Sequence, residues 1–458
     1  METPDLKYYR FEGLLQQQGW MKPAYVGVTA KGIVKYLSEK TPGEAISVEY
    51  VRGYALPGFP NAHSHAFQYA MAGMAEKHLP GSSDDFWTWR EAMYECALAM
   101  DPDQMEAVAA MLYSEMLRKG YTHVAEFHYL HHDKKGNHYA NPAEMGERLV
   151  SAAASAGIRI TLVPVFYQKG GFGQEPKPEQ RRFISRTIDE YLKLLDHSKA
   201  AVEYHDFASL GFGVHSLRAV SEADVRRTFE LGPKTLPFHL HAAEQLGEVE
   251  VAQAHLGTRP VSWLNANLPL NDRFHIVHCT HLDDQEVKVL AQSGANVVLC
   301  PGTEANLGDG VFRLVDYAKY YGNWSIGTDS HISLNPLEDL RWLDYAQRLL
   351  SHKRNTFDDA ATVQFHKCIT CGREAMGISS KNFFEIDRPL DAVVYDADEP
   401  LLLQAGLAHL LATLVYTADA SAVTGTIIDG KWVYKNGEAR NGAAIRRRFA
   451  RAVAELKR

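Results

Sequence analysis

The sequence predicts an α/β fold: a (β/α)8 TIM-type barrel with a small β-sandwich domain built from both termini. Three observations carry that prediction. Short apolar, β-branched runs alternate with helical patterns between Ala55 and Ser330, eight such runs fit in that span, and strand-like stretches reappear at both chain ends. Alternation of this kind marks parallel strands joined by crossover helices. Eight units over about 275 residues match the size of the barrel.

The strand candidates, in order, are Ala55–Ala62, Thr122–Phe127, Arg159–Phe166, Leu210–His215, Leu236–His241, His275–Cys279, Asn296–Cys300 and Trp324–Thr328. Between them Pro102–Lys119, Pro142–Ala156, Glu179–His197, Glu222–Leu231, Leu246–Leu256, Asp283–Ser293 and Phe312–Tyr321 read as helices. Most place Ala, Leu or Val at helical spacing, and several are entered by Asp, Asn or Ser. Outside the barrel, Tyr25–Val28, Ile33–Tyr36, Ile46–Val51, Asp391–Tyr395 and Val423–Tyr434 read as strands, the last folding around Asp429-Gly430. The expected domains are therefore residues 1–54 with 385–440 as the β domain, 55–384 as the barrel, and 441–458 as a C-terminal helix. In that helix Ile445, Phe449, Val453 and Leu456 share one face, while five arginines and Lys457 fall mostly elsewhere, the pattern of a surface helix packed on the body.

Composition narrows the function. The 458 residues carry 48 Lys+Arg against 56 Asp+Glu, a formal charge of −8, with 46% hydrophobic residues. This is a globular profile without a basic face, so no nucleic-acid partner is expected. Met1–Trp20 lacks a signal-type apolar core, and no later stretch reads as a membrane span of about 18 uncharged apolar residues, so no membrane partner and a cytoplasmic location are expected. Five cysteines fit reduced thiols, and the Cys368/Cys371 pair reads as helix packing.

The 21 histidines are the compositional surplus. Barrel chemistry sits at the carboxyl ends of the strands, and several histidines fall there. The first strand finishes in Asn61-Ala62-His63-Ser64-His65; alternate residues of a strand project to one side, so both imidazoles can reach one ion. The fifth finishes in His239-Leu240-His241 with Glu244 three residues on, the sixth in His278, the eighth in Thr328-Asp329-Ser330. His63, His65, His241 and Asp329 make a nitrogen and oxygen set suited to one divalent ion, zinc or ferrous iron. His239 sits a layer deeper and reads as core. His131, His132, His281 and His331 lie near the rim with no task assigned by spacing, and the long Met- and Trp-rich loop Phe67–Glu95 reads as a lid or a dimer contact.

The run Leu56–His65, the later His241, His278 and Thr328-Asp329-Ser330, and the closing segment Val423–Gly437 resemble the amidohydrolase superfamily over essentially the whole chain. Narrower runs resemble one branch of it: His65-Ala66-Phe67-Gln68, Phe86-Trp87-Thr88-Trp89-Arg90, Ala125-Glu126-Phe127-His128-Tyr129, His215-Ser216-Leu217-Arg218, His241-Ala242-Ala243-Glu244-Gln245 and Thr303-Glu304-Ala305-Asn306-Leu307-Gly308-Asp309-Gly310. That branch works in histidine degradation, converting N-formimino-L-glutamate to N-formyl-L-glutamate and ammonia. The resemblance implies a homodimer with a small dicarboxylate substrate and one divalent metal ion, zinc or ferrous iron, on His63, His65, His241 and Asp329. Strand four ends in His215 with no lysine to carry a carbamate bridge to a second ion. Asp329 would take the proton of the attacking water, Glu244 would carry a proton to the departing nitrogen, and His278 would orient the hydroxide and steady the tetrahedral intermediate. Arg90 and Arg218 match the branch's carboxylate-binding positions, helped by Gln68, Tyr129 and His215. Alternatives with the same metal set are hydrolases of imidazolone, nucleobase or pterin rings, which would want an aromatic, amide-rich pocket; a catalytically inactive scaffold would have lost the ligand set.

Overall fold

A computed structural model of the chain describes residues 6–76, 86–331, 333–354 and 356–456. The stretch His78–Asp85 within the expected lid and Lys457 of the terminal helix lie outside the described residues.

Eight parallel strands form the barrel: β1 (Phe59–Ser64), β2 (Tyr121–His128), β3 (Arg159–Phe166), β4 (Phe212–Ser216), β5 (Phe238–Ala242), β6 (Phe274–His278), β7 (Asn296–Leu299) and β8 (Asn323–Ile326). They pair in chain order. The seam between β8 and β1 is closed by a parallel bridge of Ser64 to Asp329, in which the Asp329 amide donates to the His63 carbonyl at 3.1 Å and the His65 amide to the Asp329 carbonyl at 3.3 Å. Three of the four predicted ligands are thus stitched together by the hydrogen bonds that close the barrel.

The strands are buried on both faces, which is why they read as near-continuous apolar runs. The covering helices start where the sequence places caps. Asp101 and Asp283 form capping boxes with Gln104 and Glu286, and Thr187 and Ser221 accept from the amides three residues on. Each such cap contributes about 1 kcal/mol.

The run read as one strand over Ala55–Ala62 is two. Val48–Pro57 belongs to the sheet of the termini, Gly58 turns the chain, and β1 begins at Phe59. A Cβ at Gly58 would lie 2.1 Å from the Thr122 side chain, so glycine alone allows β1 to leave one sheet and enter the other against β2.

The β domain expected from both termini is one continuous mixed sheet of nine strands among the described residues. Its two halves meet where Val48–Pro57 pairs antiparallel with Ala392–Asp396. Arg159, at the start of β3, bonds Asp391 at 2.7 Å and also Asp429, clamping this sheet beneath the barrel. Lys7–Gln16 is a further strand that the sequence reading leaves out. The helix Gly442–Leu456 buries Ile445 and Ala452 and anchors Arg448 to Glu106 at 2.7 Å.

One segment overturns the expectation that no stretch has the length and apolarity of a membrane span. Helix Pro400–Thr417 has 18 residues without Asp, Glu, Lys or Arg and is 28% buried. Gln404 and His409 interrupt the apolar run and mask it in the sequence, and Gly406, with φ 61°, bends it.

Candidate active site

At the C-terminal rim the Nε2 atom of His63 lies 3.1 Å from those of both His65 and His241. Asp329 Oδ1 approaches His65 Nε2 at 3.2 Å and His63 Nε2 at 3.5 Å. Second partners fix two of the rings: Nδ1 of His65 donates to the Phe127 carbonyl and Nδ1 of His241 to the His215 carbonyl, each at 2.9 Å. Their Nε2 atoms therefore present lone pairs inward. Burial holds all three imidazoles neutral, pushing His63 down to about 3. The His63 Nε2 and an Asp329 carboxylate oxygen crowd against the lone pairs of His65 and His241, and the buried His63 Nδ1 has no hydrogen-bond partner among the described residues, so the four residues fit a divalent ion with nitrogen and oxygen ligands. The buried Glu126 carboxylate braces this strand end, accepting from Ser64 Oγ and the Ala66 amide at 2.6 Å and from the Tyr113 hydroxyl at 3.1 Å.

Beside the histidines stands a cluster of buried titratable groups. His278 Nε2 faces Glu244 Oε1 at 3.6 Å and Asp329 Oδ2 at 3.7 Å, and its Nδ1 donates to Glu304 Oε1 at 3.2 Å. Burial alone would lower the His278 pKa, but the carboxylates of Glu244, Glu304 and Asp329 reverse this and raise it to about 10. Burial raises Glu244, with His278 and Arg218 opposing. Asp309, behind Glu244, is raised to about 9 by burial and by the Glu244 charge. Ala243, His278, Cys279 and Asp329, at the ends of β5 and β6 and in the turn after β8, all hold φ between 48° and 71°, a left-handed backbone uncommon for such residues.

A cavity of about 330 Å3 opens from this cluster. The five residues predicted to contact substrate, Gln68, Arg90, Tyr129, His215 and Arg218, all line it, as do Glu244, His278 and Asp329. Arg218 lies 3.4 Å from Glu244 Oε2 and 3.9 Å from Glu248 Oε1. Arg90 rides on the helix Phe86–Ala99 with its guanidinium 5.6 Å from the Tyr94 ring centre. Gln68 donates to the Tyr129 hydroxyl at 3.0 Å, leaving its buried carbonyl oxygen without a hydrogen-bond partner among the described residues. Much of the expected loop Phe67–Glu95 is helical, as the turn Ala66–Met71 and the start of the helix carrying Arg90.

His239 is core, bonded to the Ala375 carbonyl at 3.0 Å. His131, His132, His281 and His331 do not line the cavity; they bond the Val165, Ile184 and Asp309 carbonyls and the Thr328 hydroxyl. All five cysteines are buried free thiols. Glu126, Glu304 and Asp309 lie inside the family-like runs, but nothing in their spacing assigns them a task. Tyr94, Tyr167 and Glu248 also line the cavity, and nothing in local spacing marks them.

The family model described as "Amidohydrolase family" matches residues 54–433. A formimidoylglutamate deiminase of Pseudomonas aeruginosa is 41% identical over 97% of this chain and 98% of its own. Among solved structures, an amidohydrolase from Brucella melitensis superposes with a TM-score of 0.90 at 36% identity, covering 99% of this chain and all of its own. An adenosine deaminase from Xanthomonas campestris with bound zinc shares the fold, with a TM-score of 0.81 at 21% identity over 99% of both chains. A family model matched over residues 54–433 and a relative 41% identical over nearly the whole of both chains lead to one assignment: the chain belongs to the amidohydrolase family.

Proposed function

We propose that the chain hydrolyses N-formimino-L-glutamate to N-formyl-L-glutamate and ammonia. The observation that carries this reading is a single cavity lined by His65, His241 and Asp329 of the metal cluster and by two arginines, Arg90 and Arg218. The match to the Pseudomonas deiminase supports it over nearly the whole chain. Arginine forks grip carboxylates with defined orientation, and this substrate carries two. A cavity built for a neutral nucleobase has no use for both.

His63, His65, His241 and Asp329 hold one divalent ion, and the imidazole-rich set favours zinc, with ferrous iron also suited. When bound, the ion lowers the pKa of water to about 7, so that hydroxide is available at neutral pH. The protein side chains do the rest. Arg218 and Arg90 hold the two carboxylates, with Gln68, Tyr129 and His215 filling the space between, so that the formimino carbon faces Asp329. Asp329 accepts the proton of the attacking water. His278, kept protonated by its three carboxylate neighbours, donates through Nε2 to the oxygen where negative charge develops. Glu244, ionised while it faces His278 at 3.6 Å but raised by burial, takes the water's proton on from Asp329 and delivers it to the formimino nitrogen. That nitrogen gains its second proton from the hydroxyl as the tetrahedral intermediate collapses and departs as ammonia.

Five buried reduced thiols favour a cytoplasmic enzyme. Residues 59–384, from the first barrel strand onward, form its catalytic unit, 1–57 with 385–440 the flanking β domain and 441–458 the closing helix, and the active species is a homodimer. A substrate panel tests the reading: kcat/KM for N-formimino-L-glutamate is expected to exceed that for N-formimino-glycine, which lacks one carboxylate, and that for adenosine or imidazolonepropionate, by orders of magnitude. Preference for a ring substrate would overturn it.

A further inference from the structure

In the segment after β3, the short turn Pro178–Gln180 buries Gln180 completely. The Lys177 amide donates to Gln180 Oε1 at 2.8 Å, which fixes the orientation of the side-chain amide. Turned over, the amide would set its NH2 group against the Lys177 N–H, donor against donor. The NH2 group therefore faces the other way, where it donates to the hydroxyl oxygens of Tyr167 at 2.9 Å and Tyr94 at 3.1 Å. The Gly170 carbonyl lies at 3.5 Å, the outer limit of such a bond.

An amide nitrogen cannot accept a hydrogen bond, so neither phenol can return its hydrogen to Gln180. Among the described residues no acceptor stands at hydrogen-bond distance from either hydroxyl hydrogen. Tyr94 and Tyr167 both line the active-site cavity, as does Arg90, whose guanidinium lies 5.6 Å from the Tyr94 ring centre. Burial raises the Tyr167 hydroxyl and keeps it protonated, against the opposing charges of Arg90 and Arg218. Two O–H donors beside a guanidinium suit an anion with two acceptor oxygens. This receptor stands back from the reacting atoms. The Tyr167 ring packs on His215 at 4.6 Å and His215 on His241 at 4.9 Å, whereas Arg218 is the arginine beside Glu244.

We infer that Gln180 sets the polarity of a tyrosine pair, Tyr94 and Tyr167, that binds the substrate's side-chain carboxylate, the one remote from the formimino group. This rests on N-formimino-L-glutamate being the substrate. Arg218 then takes the carboxylate next to the formimino nitrogen, and Arg90 with the two hydroxyls takes the distal one. Gln180 touches no substrate; it is a positioning residue that acts by leaving both hydroxyl hydrogens to the cavity.

Steady-state kinetics on the zinc-loaded full chain tests this with N-formimino-L-glutamate and N-formimino-L-norvaline, in which a methyl group replaces the distal carboxylate. Tyr94→Phe and Tyr167→Phe are each expected to raise KM for N-formimino-L-glutamate about tenfold with little change in kcat, and to leave kcat/KM for the norvaline compound nearly unchanged. Gln180→Glu still accepts from the Lys177 amide but also accepts from the hydroxyls, drawing their hydrogens out of the cavity, and is expected to raise the same KM by roughly tenfold or more. Equal losses on both substrates, as a merely structural role would give, or an unchanged KM in the two tyrosine variants, would overturn the inference while the substrate reading stands. Wild type that fails to turn over N-formimino-L-glutamate would overturn both. A crystal structure of zinc-loaded wild type with N-formyl-L-glutamate needs no variant. Its side-chain carboxylate is expected at hydrogen-bond distance from both hydroxyls, and a side-chain carboxylate held elsewhere would overturn the assignment.

Discussion

Glu244 and Glu304 flank the same imidazole, and their substitutions separate proton delivery from positioning. Glu244→Gln should keep its metal and fold while losing roughly 10²- to 10⁴-fold in kcat; retention of near-normal turnover would strip Glu244 of its role. Glu304→Gln keeps the shape of the side chain that accepts from the Cys300 amide at 2.9 Å but removes one of the charges holding His278 protonated. Because His278 is raised by those charges, losing one lowers its pKa. The alkaline limb of kcat/KM should move to lower pH while KM changes little, and an unmoved limb would show that Glu304 only packs. Arg218→Met should raise KM for the dicarboxylate roughly tenfold to a hundredfold, the worth of a charged hydrogen bond, with a smaller effect on kcat. The residues legible in the sequence were those whose chemistry repeats at strand ends, His63, His65, His241 and Asp329. Glu126 and Glu304 were not, because their task depends on Ser64, Ala66 and His278, which only the closed barrel brings near.

At the scale of elements, close backbone approach decides where ligands stand. A Cβ at Gly327, just past β8, would lie 2.7 Å from that of His63 and 2.9 Å from its amide nitrogen. Gly327→Ala should therefore part β8 from β1 and weaken zinc binding about 10- to 100-fold, read by competition with a chromophoric chelator. The barrel strands were readable because they are buried on both faces. Lys7–Gln16 is hard to read in the sequence because Tyr8, Arg10 and Glu12 alternate with Tyr9 and Phe11, and a half-buried strand is a period-two pattern, not an apolar run. The division at Gly58 was invisible for the opposite reason: both sheets bury Ala55–Pro57 and Phe59–Ala62 equally, so hydropathy runs through the boundary.

At the scale of the molecule, the proposed metal site and the closing seam are one feature, since His63, His65 and Asp329, the proposed ligands, also make the seam hydrogen bonds. Removing the ion should therefore cost stability as well as activity. An ion present at about a thousand times its Kd contributes about 4 kcal/mol to the folded state. Chelation should lower Tm by several degrees, with recovery on adding zinc, and an unchanged Tm would separate the cluster from the seam. The central claim is that the protein activates water against a formimino carbon held by its two carboxylates. Turnover of N-formimino-L-glutamate in H2 18O, followed by mass spectrometry and ammonia assay, tests it most directly. The expected result is one ammonia released per N-formyl-L-glutamate formed, with one 18O in the formyl oxygen; no turnover, or ammonia released without that label, would contradict it.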